Sequence, residues 1–529
     1  MARLKYLLFV LALIPLSSAN ANTINQQGAD KLKEHFQALL DYQKTVNEAL
    51  GSVRVEYQGE LTVTPEQTYY AAVFPRILIK GPAIEGVPDS DAAFDIGVIK
   101  INAAPDEKPG YWKTVMTFPS KMTLIGTKPE ENFSILFKEQ KSIGLFSGAL
   151  GYFTKTDINL SDITFEAGGQ DIGINIGGIQ AYMKMEENED GENRFSGPGH
   201  LLMNNLSIVP KEQGETVNVG ELKADFVMNN FQMPTLKEYQ DKIMKHVDTF
   251  KSLQDMSPEE EEELSGTEIM DMILDLYEFD MDGFSFTYSA KDVNIASDTN
   301  NQFRAFDTLQ VGSAALGFGF DQIQSDAGSL DIIGNYQTVK ITPEDPEYKD
   351  VIPQSVNLNI KASKIPYGQL TKIATNTAKA IAADPQSAQM AGLGVIMRLP
   401  AILAQAGTQV DVVNNGAKTS LYDVSLNGQV LTDLSALTGF TAQFKAVFEG
   451  LDALLSVAKK NASNPDSKNK ANFEQMSQTL ESLKAVGKAE QGPNGKPAYG
   501  YEIQATPDGK FLVNGKDAQT VFSPAPPPQ

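Results

Sequence analysis

Leu160-Ser161-Asp162-Ile163-Thr164-Phe165 and Met203-Asn204-Asn205-Leu206-Ser207-Ile208 follow one rule: apolar, any residue, Asp or Asn, apolar, any residue, apolar. The rule returns in Met228-Asn229-Asn230-Phe231-Gln232-Met233, Ala290-Lys291-Asp292-Val293-Asn294-Ile295 and Leu421-Tyr422-Asp423-Val424-Ser425-Leu426. In each, two apolar residues stand three apart, which breaks the period of two expected of a half-buried strand. One extra residue at a β-bulge restores the inward face, and Asp or Asn tolerates the backbone there. The competing explanation is chance, because Asp and Asn are common and the copies follow no fixed period. Read as strands, these segments describe a long, curved antiparallel sheet rather than a compact sandwich.

The surrounding sequence extends that reading. Val53, Val55 and Tyr57 alternate, as do Phe94, Ile96 and Val98, and then Met122 and Leu124. Turn residues separate one strand from the next as far as about residue 233. Before them, Asp30 to Leu50 places Leu32, Phe36, Leu39, Leu40, Val46 and Leu50 on one helical face. A helical insert is expected over 235–278: Thr235 with Glu238 forms a capping box, and Ser257-Pro258-Glu259 opens a second helix. Strands resume from Phe284 to about Val339.

The last third mixes types. Val356, Leu358 and Ile360 alternate, helices are expected at about 367–383 and 386–406, and Val410 to Val430 returns to strands. Phe440, Phe444, Val447, Phe448, Leu451, Leu454, Leu455 and Ala458 read as a single amphipathic helix. A further helix over 473–486 and a hairpin around Asp508-Gly509 complete the pattern, followed by a Pro-rich tail. The expected fold is thus α+β and β-rich, with helical inserts in the sheet. Its divisions are a signal at 1–21, an N-terminal helix at 22–50, a β domain at 51–344, a mixed C-terminal domain at 345–520 and the tail at 521–529.

Composition sets the compartment and removes several chemistries. The 529 residues carry 67 acids, 44 bases, three histidines and no cysteine, for a net charge of −23. Such an acidic chain has no surface suited to a phosphate backbone, so no nucleic-acid partner is expected. Without cysteine there is no disulfide, thiolate metal site, cysteine nucleophile or lipoprotein attachment point. At the N-terminus, Arg3 and Lys5 precede the apolar run Leu7 to Leu16, and Ala19-Asn20-Ala21 offers a cleavage site. Removing that signal takes two of the 44 bases and brings the net charge from −23 to −25. A Gram-negative periplasmic address follows. The best later candidate for a membrane span, Met390 to Ala406, contains Arg398 and Pro400 and reads as a buried helix instead.

Catalytic signals are weak, and no enzyme, cofactor or metal is expected. His35 and His246 read as boundary residues of helices, and His200 follows the turn-like Gly197-Pro198-Gly199. No G-x-S-x-G elbow occurs, and Ser467-Lys468-Asn469-Lys470 lacks the partners of an S-x-x-K site. Gly317-Phe318-Gly319 is only a fragment of a glycine loop. Glu278-Phe279-Asp280-Met281-Asp282-Gly283 resembles the first half of a calcium loop, yet its twelfth position is Ser289. A solvated acidic turn is the expectation there. Gly173, Gly177, Gly178, Gly317 and Gly319 suit either tight curvature, close approach by a ligand or ordinary sheet twist.

A resemblance enters at Ile352-Pro353-Gln354-Ser355-Val356-Asn357-Leu358-Asn359-Ile360, followed by Lys364-Ile365-Pro366-Tyr367. Ile402-Leu403-Ala404-Gln405-Ala406-Gly407 then ends a helix and leads into Gln409-Val410-Asp411-Val412-Val413. Gly428-Gln429-Val430 and Gly509-Lys510-Phe511-Leu512-Val513-Asn514-Gly515 close the series. This order, over about residues 345–520, is similar to the YdgA-type family of Gram-negative envelope proteins, which look distantly like the AsmA-type β-rich periplasmic proteins. The chain departs from that pattern at its start, where a cleavable signal stands in place of a retained anchor. The resemblance implies a non-enzymatic envelope role, with lipid handling by analogy. The first expectation is a protein that binds or moves lipid or another apolar envelope component along the sheet, with peripheral membrane contact. Phe440, Phe444, Val447, Phe448, Leu451, Leu454 and Leu455 would then form a gating helix. The alternative is a structural or adaptor protein with a fully covered sheet, whose partners are other envelope proteins.

Overall fold

A computed structural model describes residues 24–50, 53–81, 92–126, 132–167, 170–189, 193–209, 215–249, 272, 275, 280–297, 307–342, 347–348, 350–383, 388–492 and 494–519. Helix α1 (Gln26–Leu50) leads into β1 (Arg54–Gln58) and β2 (Thr62–Pro65), which both pair with β3 (Tyr70–Lys80). Next, β4 (Ala93–Pro105) and β7 (Phe133–Ser147) flank two short strands, β5 (Tyr111–Thr117) and β6 (Lys121–Ile125). Long strands then follow in turn: β8 (Tyr152–Ala167), β9 (Gln170–Lys184), β11 (Arg194–Ile208) and β12 (Thr216–Gln232), with the two-residue β10 (Glu186–Glu187) at one end. After α2 (Leu236–Lys245) come β13 (Gly283–Ala296), β14 (Thr308–Asp321), β15 (Gly328–Thr342) and β16 (Ser355–Ile365). Helices α3 (Tyr367–Ala383) and α4 (Ala388–Ala406) form a hairpin before β17 (Gln409–Lys418), β18 (Asp423–Thr432) and β19 (Phe440–Glu449). The chain then passes through α5 (Leu451–Ser463), α6 (Lys470–Val486), β20 (Lys488–Gln491), β21 (Pro497–Ala505), β22 (Phe511–Val513) and β23 (Lys516–Asp517).

All these strands belong to one antiparallel sheet. The expected boundary near residue 345 does not interrupt it, because β15 pairs with β16 from Leu330↔Ala362 to Gln337↔Ser355. The signal at 1–21 and the tail at 521–529 lie outside the described residues, as does most of the second insert helix. The capping box is present: Glu238 N donates to Thr235 Oγ1 at 3.2 Å, and Thr235 N donates to Glu238 Oε2 at 2.7 Å.

The Asp/Asn rule has a structural cause that differs from the expected bulge. Asp162, Asn205 and Asp292 are left-handed, with φ between 51° and 53°, and Thr338 joins them at 57°. Pairing nonetheless continues in step on both sides of each. Ser161 and Ile163 face Gly178 and Ile176 across β9, and Glu221 and Val219 face Lys291 and Val293 between β12 and β13. A bulge would give one strand an extra residue; here every strand carries it. On β9, β12 and β14 the residue in the row is Gly177, Gly220 or Gly312. A Cβ at any of these glycines would stand 2.9–3.0 Å from the Cβ of the left-handed neighbour, so glycine is the residue that fits. The row therefore reverses the pleat across β8 to β15 together, and apolar residues three apart stay on one face.

The other two copies of the rule behave differently. Asn230 is left-handed beside a true register shift between Phe195 and Gly197. Asp423 begins β18 and is not among the left-handed residues. A further bulge lies on β17 at left-handed Asn414, between Val412 and Asn415. Amides satisfy its backbone: Asn357 Nδ2 donates to Asn414 O at 2.7 Å, and Asn414 N donates to Asn427 Oδ1 at 2.6 Å.

Candidate functional site

Cross-strand pairing places one row of residues on a single face of 15 strands. It runs from Ala103 on β4 through Thr114, Gly144, Thr156, Met183 and Gly199. Across the middle it passes Phe226, Phe286, Phe318, Ile332 and Ile360. It ends with Val412, Gly428, Phe444 and Ile503 on β21. Neighbouring rows are equally apolar: Met228, Phe284, Phe320 and Leu330 align, as do Ala224, Tyr288, Leu316, Gly334 and Leu358. Beyond the left-handed row the same face continues with Val219, Val293, Val311 and Val339. The opposite face of β13 carries Ser285, Thr287 and Ser289, which explains why one side alone seeks burial.

Helices cover this face at both ends. Leu32, Phe36 and Leu40 of α1 pack on Tyr70, Ala72, Ile101, Trp112 and Phe146, with Phe36 5.0 Å from Phe146 between ring centres. The Thr114 and Ser142 hydroxyls lie here without a hydrogen-bond partner. At the other end, Leu451, Leu454, Leu455 and Ala458 of α5 and Phe473 and Leu480 of α6 form a core against Phe448 and Tyr499. Burying each such aliphatic or aromatic side chain contributes roughly 1.5–3 kcal/mol.

Between these caps, part of the apolar face stays exposed. Leu316 remains 60% exposed and Tyr288 59%, with Leu201, Phe318 and Leu358 also exposed. Five aromatic rings of β13 and β14 contact one another: Phe284 stacks on Phe320 at 5.0 Å, Phe286 on Phe318 at 5.9 Å, and Tyr288 stands edge-on to Phe286 at 4.2 Å. From β9 to β16 the seven strands span about 30 Å at the usual strand spacing, and the four rows before the left-handed residues span roughly 20 Å along the strands. Large apolar side chains exposed together on neighbouring strands mark a contact surface. The sheet is therefore not fully covered among the described residues.

The predicted gating helix is not one helix. Phe440 to Glu449 is β19, and Gly450, at φ 78°, turns the chain into α5. Ala442 and Ala446 lie between the three phenylalanines on the apolar side, so the true period there is two. Phe440, Phe444 and Phe448 thus belong to the sheet face, Val447 points to the other side, and Leu451, Leu454 and Leu455 form the buried side of α5. Glu449 anchors the junction: Asn494 N and Nδ2 donate to its two carboxylate oxygens at 2.8 and 2.9 Å.

The remaining sequence candidates fall on separate elements. His35 on α1 lies 5.3 Å from Trp112, and burial, aided by Lys31, lowers its pKa against the opposing effect of Glu34. His200 stands within β11, not after a turn, and stacks on Tyr182 at 5.0 Å. His246 ends α2 and meets Asp275 at 2.7 Å. In the acidic turn, Asp280 accepts from Arg194 and from Gln324, and Asp282 accepts from Asn230, while Glu278 lies outside the described residues. Gly317 makes room for Thr287 and Ile333, whose atoms would lie under 3 Å from a Cβ there. The Asp/Asn rule could reveal only half of the left-handed row, because alternate strands carry glycine. No protein-family model matches the chain, no curated protein matches it, and no solved structure matches its fold.

Proposed function

We propose that this protein is an exported envelope protein that holds the acyl chains of a lipid, or a comparably extended apolar envelope component, along the uncovered sheet face. The single observation that carries the reading is the apolar row, roofed by α1 at one end and by α5 and α6 at the other, with Leu201, Tyr288, Leu316, Phe318 and Leu358 exposed between them. A strip of packed Phe, Leu, Ile and Val side chains offers dispersion contacts and hydrophobic burial without fixed polar anchors. It therefore suits chains of methylenes better than a compact polar metabolite, and one register of chain is as good as the next. Such a surface permits sliding from strand to strand, which is the physical requirement of a conduit. The signal-like N-terminus and the resemblance of residues 345–520 to YdgA-type proteins favour a periplasmic setting.

Native mass spectrometry with lipid extraction tests the proposal on the mature chain purified from periplasm. Phospholipid should co-purify at defined stoichiometry, and Leu316→Asp with Phe318→Asp should abolish it while leaving the fold intact. A clean apo mass that stays unchanged after incubation with phosphatidylethanolamine would overturn it.

A further inference from the structure

The α3–α4 hairpin presents its apolar side outward. The composition of Met390–Ala406 suits a buried helix, yet Met390 is 72% and Met397 81% exposed. With Leu393 they form an i, i+3, i+7 stripe, and exposed Ile396 lies beside it. The hairpin connects the ends of β16 and β17, so it leaves the sheet at one rim.

Two other apolar projections share that rim. The turn between β18 and β19 exposes Leu434 and leaves Leu437 83% exposed; its Gly439 lies against Pro400 of α4. Leu437 N donates to Pro507 O at 2.9 Å, which fixes the turn beside the start of β22. There Phe511 is exposed as well, its ring 6.4 Å from Phe440. The rim is continuous with the apolar strip, because Tyr367 at the start of α3 meets the ring of Phe320 at 6.3 Å.

Charge distinguishes what would cover this rim. The chain as a whole has a net charge of −23, yet the hairpin, residues 367–406, contains Lys372, Lys379 and Arg398 against the single acid Asp384; Lys361 on the neighbouring β16 is paired with Asp331. Lys372, Lys379 and Arg398 are exposed on the hairpin itself. Exposed Met, Leu and Ile flanked by cations in an otherwise acidic protein are the composition of an element that lies in the interface of an anionic bilayer. No helix is long and apolar enough to cross a membrane among the described residues, so the hairpin would lie in the interface and not span it.

We infer that the α3–α4 hairpin, with Leu434, Leu437 and Phe511, docks this protein on an anionic lipid surface. Docking there sets the open end of the apolar strip at the bilayer. The inference stands on the hairpin's own exposure and charge, and it holds whether or not lipid travels along the sheet.

Vesicle flotation of the mature chain tests it. Binding to phosphatidylethanolamine vesicles containing phosphatidylglycerol should exceed binding to phosphatidylcholine vesicles and fall with salt. Combined Met390→Gln, Met397→Gln and Leu437→Ser substitutions should reduce binding by roughly tenfold or more. Combined Lys372→Gln, Lys379→Gln and Arg398→Gln substitutions should remove the preference for phosphatidylglycerol. Leu437→Trp supplies a readout in a folded background: its emission should shift to the blue when anionic vesicles are added. Failure of the wild-type chain to float, or an unshifted Trp, would overturn the inference. So would a wild-type dimer that the apolar triple variant converts to monomer without changing flotation, which would assign the rim to self-association. Co-purified lipid that persists in a triple variant unable to float would separate docking from the conduit.

Discussion

Gly220 on β12 lies against Asp292 on β13 so closely that a methyl group added to the glycine would stand 3.0 Å from the Asp292 Cβ. The pair marks the point where both strands reverse their pleat together. Gly220→Ala should therefore destabilise the protein by about 1–3 kcal/mol through overpacking. Asp292→Asn, which keeps a residue tolerant of left-handed backbone, should be close to neutral. Asp292→Val should cost about 1–2 kcal/mol. Urea midpoints at an unchanged slope are the measurement, and equal midpoints for Gly220→Ala and wild type would refute the packing argument.

Position along the apolar row decides what a substitution does. Phe146→Ala, beneath α1, should cost about 3–5 kcal/mol because it leaves a cavity in a closed core. Leu316→Asp, in the open stretch, should change stability by no more than about 0.5 kcal/mol while eliminating lipid binding. Thermal melts and lipid co-purification on the two variants should give opposite outcomes.

Asp95 and Arg76 make a paired contact, with Arg76 Nε at 3.0 Å and Nη2 at 2.6 Å from the carboxylate oxygens. The arginine hydrogen bond holds the Asp95 pKa below its ordinary value, with burial opposing the shift and the Arg76 charge and Gly97 N–H adding to it. A depressed folded pKa contributes stability that is fully present above the unfolded aspartate value near about 4 and is lost as pH falls through the folded one. Arg76 is well exposed, so solvent screening limits the contribution to roughly 0.5–1 kcal/mol. Asp95→Asn should flatten that part of the acid limb in a stability–pH profile and leave neutral pH slightly less stable.

Glu449 is buried where β19 gives way to α5. Glu449→Ala should cost about 1–3 kcal/mol by leaving the Asn494 donors unpaired. Glu449→Gln, which retains an acceptor for one of them, should cost less. Hydrogen exchange of the Asn494 amide, faster in the alanine variant, would locate the effect.

Much of this architecture is legible in the sequence where a local rule is sufficient. Thr235 with Glu238 marks a helix start, and α3 and α6 end where their apolar patterns end. The Asp/Asn rule identifies long strands, but it implies one extra residue per strand pair. Its glycine half, at Gly177, Gly220 and Gly312, lacks a distinctive pattern, so the shared reversal emerges only from pairing. Phe440 to Ala458 misleads for a different reason: alanines complete a period of two that a search for large side chains overlooks. Met390 to Ala406 has the composition of a core helix, and composition does not say whether a neighbour is present to cover it. That same gap hides the open strip, since Phe318 and Phe146 look alike until the position of α1 is known.

Among the described residues, each strand from β12 to β18 pairs only with the strands directly before and after it in the chain. The sheet is thus a one-dimensional array whose length is a variable independent of its ends. The hairpins β8–β9, β11–β12 and β13–β14 each carry a left-handed residue on the first strand and a glycine on the second, an increment worth about 10 Å of reach. Duplication or deletion of such a unit would rescale the molecule like a ruler while leaving both terminal cores intact. Cooperativity would weaken with each added unit, so a longer relative should unfold from its centre before its roofed ends.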